Sequence, residues 1–123
     1  MQFTVNIMSF GFKHGIPLNA DLIFDVRCFL NPYYVDELKP KTGNDKEVQD
    51  YVMSTGEAKE FLKKLSDMIT FLLPVYESGG KTETTICIGC TGGKHRSVTF
   101  ANKLAEILSD YNVNTIHRDI EKE

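Results

Sequence analysis

No apolar run in this chain approaches the roughly 20 residues needed to cross a bilayer. The longest stretches, such as Phe71-Leu72-Leu73-Pro74-Val75-Tyr76, are far shorter. The first residues also lack a charged region leading into an apolar segment and a cleavage site, so the chain is expected to be cytoplasmic and without a membrane partner. Basic residues are not in excess: 14 Lys and Arg stand against 17 Asp and Glu, a formal net charge of −3. A protein whose main task is to neutralise many phosphates rests on clustered Lys and Arg, so that class is disfavoured, while one local basic site stays compatible. Cysteine is scarce and odd in number, three residues, which fits reduced thiols better than a disulfide framework. Nine glycines and four prolines are near average usage, which argues against collagen-like and disordered classes. There is no internal repeat, low-complexity segment or linker.

What is present is the composition of a globular protein, 41% hydrophobic and 25% charged over 123 residues. That length predicts one domain, residues 1–123, able to bury about two-thirds of the surface its unfolded chain exposes. Phe3, Val5 and Ile7 alternate within Phe3 to Phe10 and predict a strand that ends at Gly11-Phe12-Lys13-His14-Gly15. Asp21 to Arg27 is nearly continuous in apolar character and predicts a second strand, buried on both faces. The polar stretch from Asn31-Pro32 to Lys41-Thr42-Gly43-Asn44 reads as a long loop with short helical turns, a length that suggests function. From Glu57, the residues Ala58, Phe61, Leu62, Leu65, Met68, Ile69, Leu72 and Leu73 follow helical spacing; Pro74 is expected to kink or end that helix, before a break at Ser78-Gly79-Gly80-Lys81. Thr84 to Gly89 predicts a third strand. A helix carrying Val98, Ala101, Leu104, Ala105 and Leu108 follows, closed by Asn112, and Val113 to Arg118 predicts the last strand. Strands alternating with helices imply an α/β fold, a mostly parallel sheet of about four strands flanked by helices, with ligands bound beyond the carboxyl ends of the strands.

The most informative segment is Ile86-Cys87-Ile88-Gly89-Cys90-Thr91-Gly92-Gly93-Lys94-His95-Arg96-Ser97. A buried strand delivers a glycine-rich turn to a helix N-terminus, where free N–H groups and the helix dipole favour an anion. Gly92 and Gly93 allow close backbone approach, and Lys94, His95 and Arg96 add positive charge. The plainer alternative is a tight turn ending in solvated basic residues; the combination of features favours the anion site.

Three motifs compete for this turn. A nucleotide P-loop fails, because Gly89 lies only four residues before Gly93 and His95 follows Lys94 where a Ser or Thr hydroxyl is needed. A Cys-x-x-Cys site for Cys87 and Cys90 is weak, since an offset of three on a strand points side chains to opposite faces and no second pair completes a zinc site. Cys90 and Arg96 do have the Cys-x5-Arg spacing of cysteine-dependent phosphatases, with Gly93 between them and Ser97 after the arginine. In that chemistry the thiolate attacks phosphorus while amides and arginine hold the phosphate. It also needs a general acid, and the sequence places none of Asp25, Asp36, Asp45 or Asp67 opposite Cys90; Gly89 stands where many such enzymes have histidine. The alternative for Cys90 is a small buried residue at a strand end.

Lys13 and His14 follow the first strand, and Asp25 and Arg27 end the second, so three strand ends could converge on one crevice. Lys13, Arg27, Lys94 and Arg96 could neutralise a phosphate, and Asp25 could accept hydrogen bonds from hydroxyls or an amine. Equally, Asp25 and Arg27 could pair with each other, and His14 could be a satisfied loop residue. His117 and Cys28 read as structural. Tyr33 and Tyr34 either wall a sugar pocket or pack under their own loop.

The strings Ser9-Phe10-Gly11-Phe12-Lys13-His14-Gly15, Phe24-Asp25-Val26-Arg27, Asn31-Pro32-Tyr33, Thr42-Gly43 and Gly89 to Ser97 closely resemble the C-terminal domain of the RapZ family of RNase adaptor proteins. The resemblance covers nearly the whole chain in the same order. It implies a domain that senses an amino-sugar phosphate, glucosamine 6-phosphate in the best-known members, which also bind small regulatory RNAs, self-associate and serve a protein partner that the sequence does not identify. The ligand-binding set it implies is Lys13, His14, Asp25, Arg27, Asn31, Cys90, Thr91, Gly92, Gly93, Lys94, His95, Arg96 and Ser97. No cofactor or metal is expected. Members usually carry an N-terminal nucleotide-binding domain with a Walker motif; neither is found here, so nucleotide hydrolysis is not expected. The RNA-binding members end in a basic tail, whereas this sequence ends Arg118-Asp119-Ile120-Glu121-Lys122-Glu123. RNA binding is therefore expected to be weak and strongly salt-dependent.

Overall fold

The segment of β-branched and apolar residues before the glycine turn lies at the heart of the sheet. In the computed structural model, residues 2–122 are described, and among them are four strands and three α-helices. The strands are β1 (Thr4–Gly11), β2 (Leu22–Asp25), β3 (Glu83–Cys90) and β4 (Asn112–His117). The helices are α1 (Lys46–Val52), α2 (Gly56–Ser78) and α3 (Arg96–Ile107). The sheet is wholly parallel in the order β2-β3-β1-β4.

Alternation along the central pair divides the two faces. Val5 and Ile7 of β1 stand beside Thr84 and Ile86 of β3 and join a core with Leu65, Ile69 and Leu73 of α2 and Phe100, Ala101 and Leu104 of α3. Each such fully buried side chain contributes about 1.5–3 kcal/mol relative to exposure. The opposite face carries Asn6, Met8 and Phe10 of β1 next to Thr85, Cys87 and Gly89 of β3. Connections β2 to β3 and β3 to β4 advance across the sheet in one direction over the helical face. The connection β1 to β2 runs back in the other direction, and right-handed crossover then places residues 12–21 on the opposite face. Pro17 in that segment is buried, and Cys87 of β3 is fully buried.

Several expectations are corrected. The second strand is four residues long, sits at the sheet edge and is not buried on both faces; Ile23 is 42% exposed. Its apolar look arises because Leu22 and Phe24 pack on the core, while the fully buried role belongs to β3. Pro74 does not end α2, which continues to Ser78. Pro74 and Thr70 are exposed, so the carbonyl deprived of its i+4 donor can face water. Asn112 opens β4 rather than closing α3.

Polar ties hold the strand ends together. His117 Nδ1 accepts from Ser9 Oγ at 2.6 Å, its Nε2 donates to Asn102 Oδ1 at 3.0 Å, and Asn102 Nδ2 donates to the Gly43 carbonyl at 3.2 Å. His95 Nε2 donates to the Lys39 carbonyl at 3.1 Å, and Gly43 N–H donates to the Lys94 carbonyl at 2.9 Å. The long loop after β2 is thus strapped to the start of α3. Asp119, fully buried, accepts from Gly11 N–H at 2.8 Å and from Arg118 and Lys122. Burial alone would raise its pKa, but the hydrogen bonds from Arg118, Gly11 and Lys122 hold it far below the usual carboxylate range. Asp119, in the acidic-looking stretch after β4, is therefore an internal clamp.

Burial holds both His95 and His117 below the ordinary pKa of 6.5, so the folded state binds fewer protons than the unfolded chain just below that pH. Their contribution is complete above about pH 6.5 and is lost as the pH falls through the lowered values. Urea unfolding should give a lower stability at pH 5.5 than at pH 7.5, with a smaller difference in His117→Gln. A second expectation concerns packing. A Cβ on Gly11 would lie 2.4 Å from the Gly92 carbonyl carbon, whereas one on Gly92 meets nothing within 4 Å. Gly11→Ala should cost about 1–3 kcal/mol in denaturant titrations, and Gly92→Ala within about 0.5 kcal/mol of none.

Candidate functional site

β3 ends at Cys90, and the turn that follows folds back against the end of β1. Gly93 has φ +79 and leaves no room for a side chain: a Cβ there would lie 2.6 Å from Gly11 N and 2.9 Å from Asp119 Cβ. The turn leads into α3, whose N-cap, His95, makes no side-chain capping hydrogen bond. The first amides of the helix have no intrahelical acceptors, and the dipole adds partial positive charge there.

Arg96, the first residue of α3, is 5% exposed. Its Nη1 donates to the carbonyls of Arg27 and Phe29, at 3.3 Å for the second, which pins the chain just after β2 to the glycine turn. Nη2 reaches Thr91 Oγ1 at 3.4 Å, and Nε is buried without a hydrogen-bond partner among the described residues. The guanidinium is therefore divided: one nitrogen anchors backbone, while the Nε/Nη2 edge retains donor capacity. That edge is the side-on fork that matches two oxygens of a phosphate or carboxylate.

A cavity of about 550 Å³ opens over the turn. Of the sequence-predicted residues, Lys13, Asn31, Cys90, Thr91, Gly92, Lys94, His95 and Arg96 line it. Gly93 and Ser97 are buried and do not line it, Gly93 lying against Gly11 and Ser97 Oγ accepting from the Cys90 thiol. Asp25 and Arg27 stand outside, joined by a forked pair with Nη2–Oδ2 at 2.7 Å, which draws the Asp25 carboxyl below its usual pKa. Arg27 also lies 4.0 Å from the Phe12 ring centroid. His14 is outside the lining too, its Nε2 buried without a hydrogen-bond partner among the described residues. Tyr33 and Tyr34 do wall the cavity, on a 3-10 turn (Pro32–Tyr34) whose start is fixed by Asn31 Oδ1 accepting from Tyr33 N–H at 3.1 Å. Lys39 and Lys122 complete the wall and were not indicated by the sequence, since one sits in a polar loop and the other in an acidic-looking tail. Lys39 Nζ lies 4.3 Å from the Tyr33 ring centroid. Burial leaves His95 neutral at pH 7, so its contribution is the hydrogen bond to Lys39 rather than charge.

Cys90 is 2% exposed and its thiol donates to Ser97 Oγ at 3.2 Å. The cavity is lined by basic, tyrosyl and neutral polar groups, with no Asp or Glu among the described lining residues. Asp25, at the end of β2, is held by Arg27. At Gly89, a Cβ would lie 2.5 Å from Phe10 and 2.6 Å from Phe12, whose rings meet edge-on at 4.8 Å, so the histidine of many cysteine-dependent phosphatases does not fit here. Cys87 points to the other face of β3, and burial pushes its thiol up to about 11.

Residues 3–121 match the family described as the RapZ C-terminal domain. Similar proteins include a nucleotide-binding protein of Thermoanaerobacter sp. (strain X514), 62% identical over 121 residues that make up 97% of this chain and 43% of the relative. The nucleotide-binding protein YvcJ of Bacillus subtilis (strain 168) is 56% identical over 121 residues, 98% of this chain and 41% of its own length. A nucleotide-binding protein of Agathobacter rectalis is 60% identical over 122 residues, 97% of this chain and 42% of its own. The chain thus spans well under half the length of these curated relatives. With a family match across almost every residue, the chain belongs to the RapZ C-terminal domain family.

Proposed function

We propose that this domain is a ligand-binding sensor that holds a phosphorylated sugar, glucosamine 6-phosphate or a close relative, on the turn from Cys90 to Ser97. The observation that carries the reading is the buried Arg96, whose side-on edge keeps an unpartnered Nε while Nη1 is fixed to backbone. A buried donor left unsatisfied costs about 1–3 kcal/mol, a penalty that a bound phosphate removes. Lys94 and the first amides of α3 add charge and donors at the same place. Asn31, Tyr33 and Tyr34 supply hydroxyl-binding groups and flat walls for the sugar. In this reading the domain self-associates and reports ligand occupancy to a protein partner. RNA binds weakly, through the same cationic cavity, and competes with the sugar phosphate.

Thermal unfolding tests the site. Glucosamine 6-phosphate at 100 times its dissociation constant should stabilise the fold by about 2.7 kcal/mol, a Tm rise on the order of 10 °C. Arg96→Ala should abolish most of the rise. Because that variant also loses the anchor to residues 27 and 29, Lys94→Gln serves as the milder partner and should reduce the rise at matched ligand concentration. A Tm unchanged by millimolar phosphosugar, phosphate and sulfate alike would contradict the proposal.

A second measurement addresses chemistry. No carboxylate lines the cavity among the described residues to act as general acid, and the Cys90 thiol is buried and donates to Ser97 Oγ rather than standing free to attack. Hydrolysis of an activated aryl phosphate should be indistinguishable from the uncatalysed rate. Turnover that disappears in Cys90→Ser would instead establish the cysteine-dependent phosphatase.

A further inference from the structure

Of the eleven lysines, Lys59 and Lys103 neither pair with a carboxylate among the described residues nor line the cavity, and the other nine do one or both. Lys41, Lys46, Lys63, Lys64 and Lys81 are each paired with a carboxylate on the surface. Lys13, Lys39 and Lys94 form no ion pair among the described residues, and all three line the cavity. Arg96 and Lys122 join them there; Lys122 is shared with Asp119, but Asp119 is already matched by Arg118, so the three together remain net positive. The cavity thus gathers five basic side chains with no acidic lining residue, in a chain whose formal net charge is −3.

One phosphate monoester carries about −1.5 to −2 at pH 7. The Arg96 edge, Lys94 and the amides at the start of α3 are sufficient to match it. Lys13, Lys39 and Lys122 then stand around the same cavity with no counter-charge from the ligand. These three lysines are exposed, yet like charges gathered around one cavity still repel one another and favour a partner that brings negative charge. Lys39 is held over Tyr33, and Lys122 is held by Asp119, so two of these three ammonium groups are already positioned. The volume of about 550 Å³ lies in the range of cavities that enclose whole small ligands.

We infer that the preferred ligand carries a second phosphoryl group, bound by Lys13, Lys39 and Lys122, beyond the one seated on the Cys90–Ser97 turn. The inference rests on the anion-binding reading of that turn and goes beyond it: a monophosphate such as glucosamine 6-phosphate occupies only the turn, and a doubly phosphorylated ligand binds more tightly by using the lysines as well. The second group can sit across a sugar ring from the first, as in a sugar bisphosphate, or next to it, as in a nucleoside diphosphate sugar.

Calorimetric titration at low and physiological salt tests this with four probes: glucose 6-phosphate, glucosamine 6-phosphate, fructose 1,6-bisphosphate and uridine diphosphate glucose. At least one doubly phosphorylated probe should bind about tenfold or more tightly than both monophosphates, and its affinity should fall more steeply with salt. Fructose 1,6-bisphosphate as the winner assigns separated phosphates, and uridine diphosphate glucose assigns adjacent ones. In the Lys13→Gln/Lys39→Gln variant, with its fold checked by circular dichroism, the ratio of double to single phosphate affinity should collapse toward one. Monophosphates that bind as well as both doubly phosphorylated probes would overturn this inference while leaving the anion site standing. Binding of none of the four would overturn the anion site itself.

Discussion

A single buried guanidinium ties the fold of this domain to its site. Arg96 is the first residue of α3, it follows the glycine turn, and its Nη1 holds the backbone carbonyls of Arg27 and Phe29. That contact pins the chain just after β2 to the start of α3, beside the ladder that already pairs β2 with β3, and the same residue lines the cavity while its buried Nε stays without a partner among the described residues. The arginine therefore has two tasks that cannot be exchanged for those of a lysine, which lacks the planar fork.

The rest of the architecture supports this placement. In a parallel sheet all strands deliver their carboxyl ends to one side, and the end of β1 meets the turn after β3 through glycine on glycine, Gly11 against Gly92 and Gly93. Asp119 fixes that approach from the chain's last segment by accepting from Gly11 N–H, while His95 and the Ser9-His117-Asn102 chain hold the long loop against α3. The buried His95 and the half-buried His117 thus serve as uncharged struts, and the positive charge of the cavity comes from lysines and Arg96.

Much of this was legible in the sequence, for identifiable reasons. The glycine turn between a β-branched strand and an amphipathic helix is written in consecutive residues, so the turn from Cys90 to Ser97 and the parallel α/β class could be read directly. Contacts between distant segments could not. Asp25 and Arg27 lie two residues apart beside the crevice and look like ligands, yet they satisfy each other outside it. Lys39 and Lys122 look like solvated loop and tail residues, and only the straps from His95 and Asp119 bring them to the wall. Asp119 itself reads as part of an acidic end, although it is fully buried. The second strand misled for a related reason: an apolar run does not say whether it occupies the centre or the edge of a sheet, because strand order is set by crossovers.

The central claim is that an anion occupies the free edge of Arg96 at the start of α3. Its most direct test is a ¹H–¹⁵N titration that follows the Arg96 Nε–H resonance together with the backbone amides of residues 91–98 as glucosamine 6-phosphate is added. The account predicts that the Nε–H and those amides shift together along one saturating curve, with the Nε–H moving downfield as it gains a charged acceptor. A saturating shift confined to other residues, with Arg96 Nε–H unmoved, would contradict it.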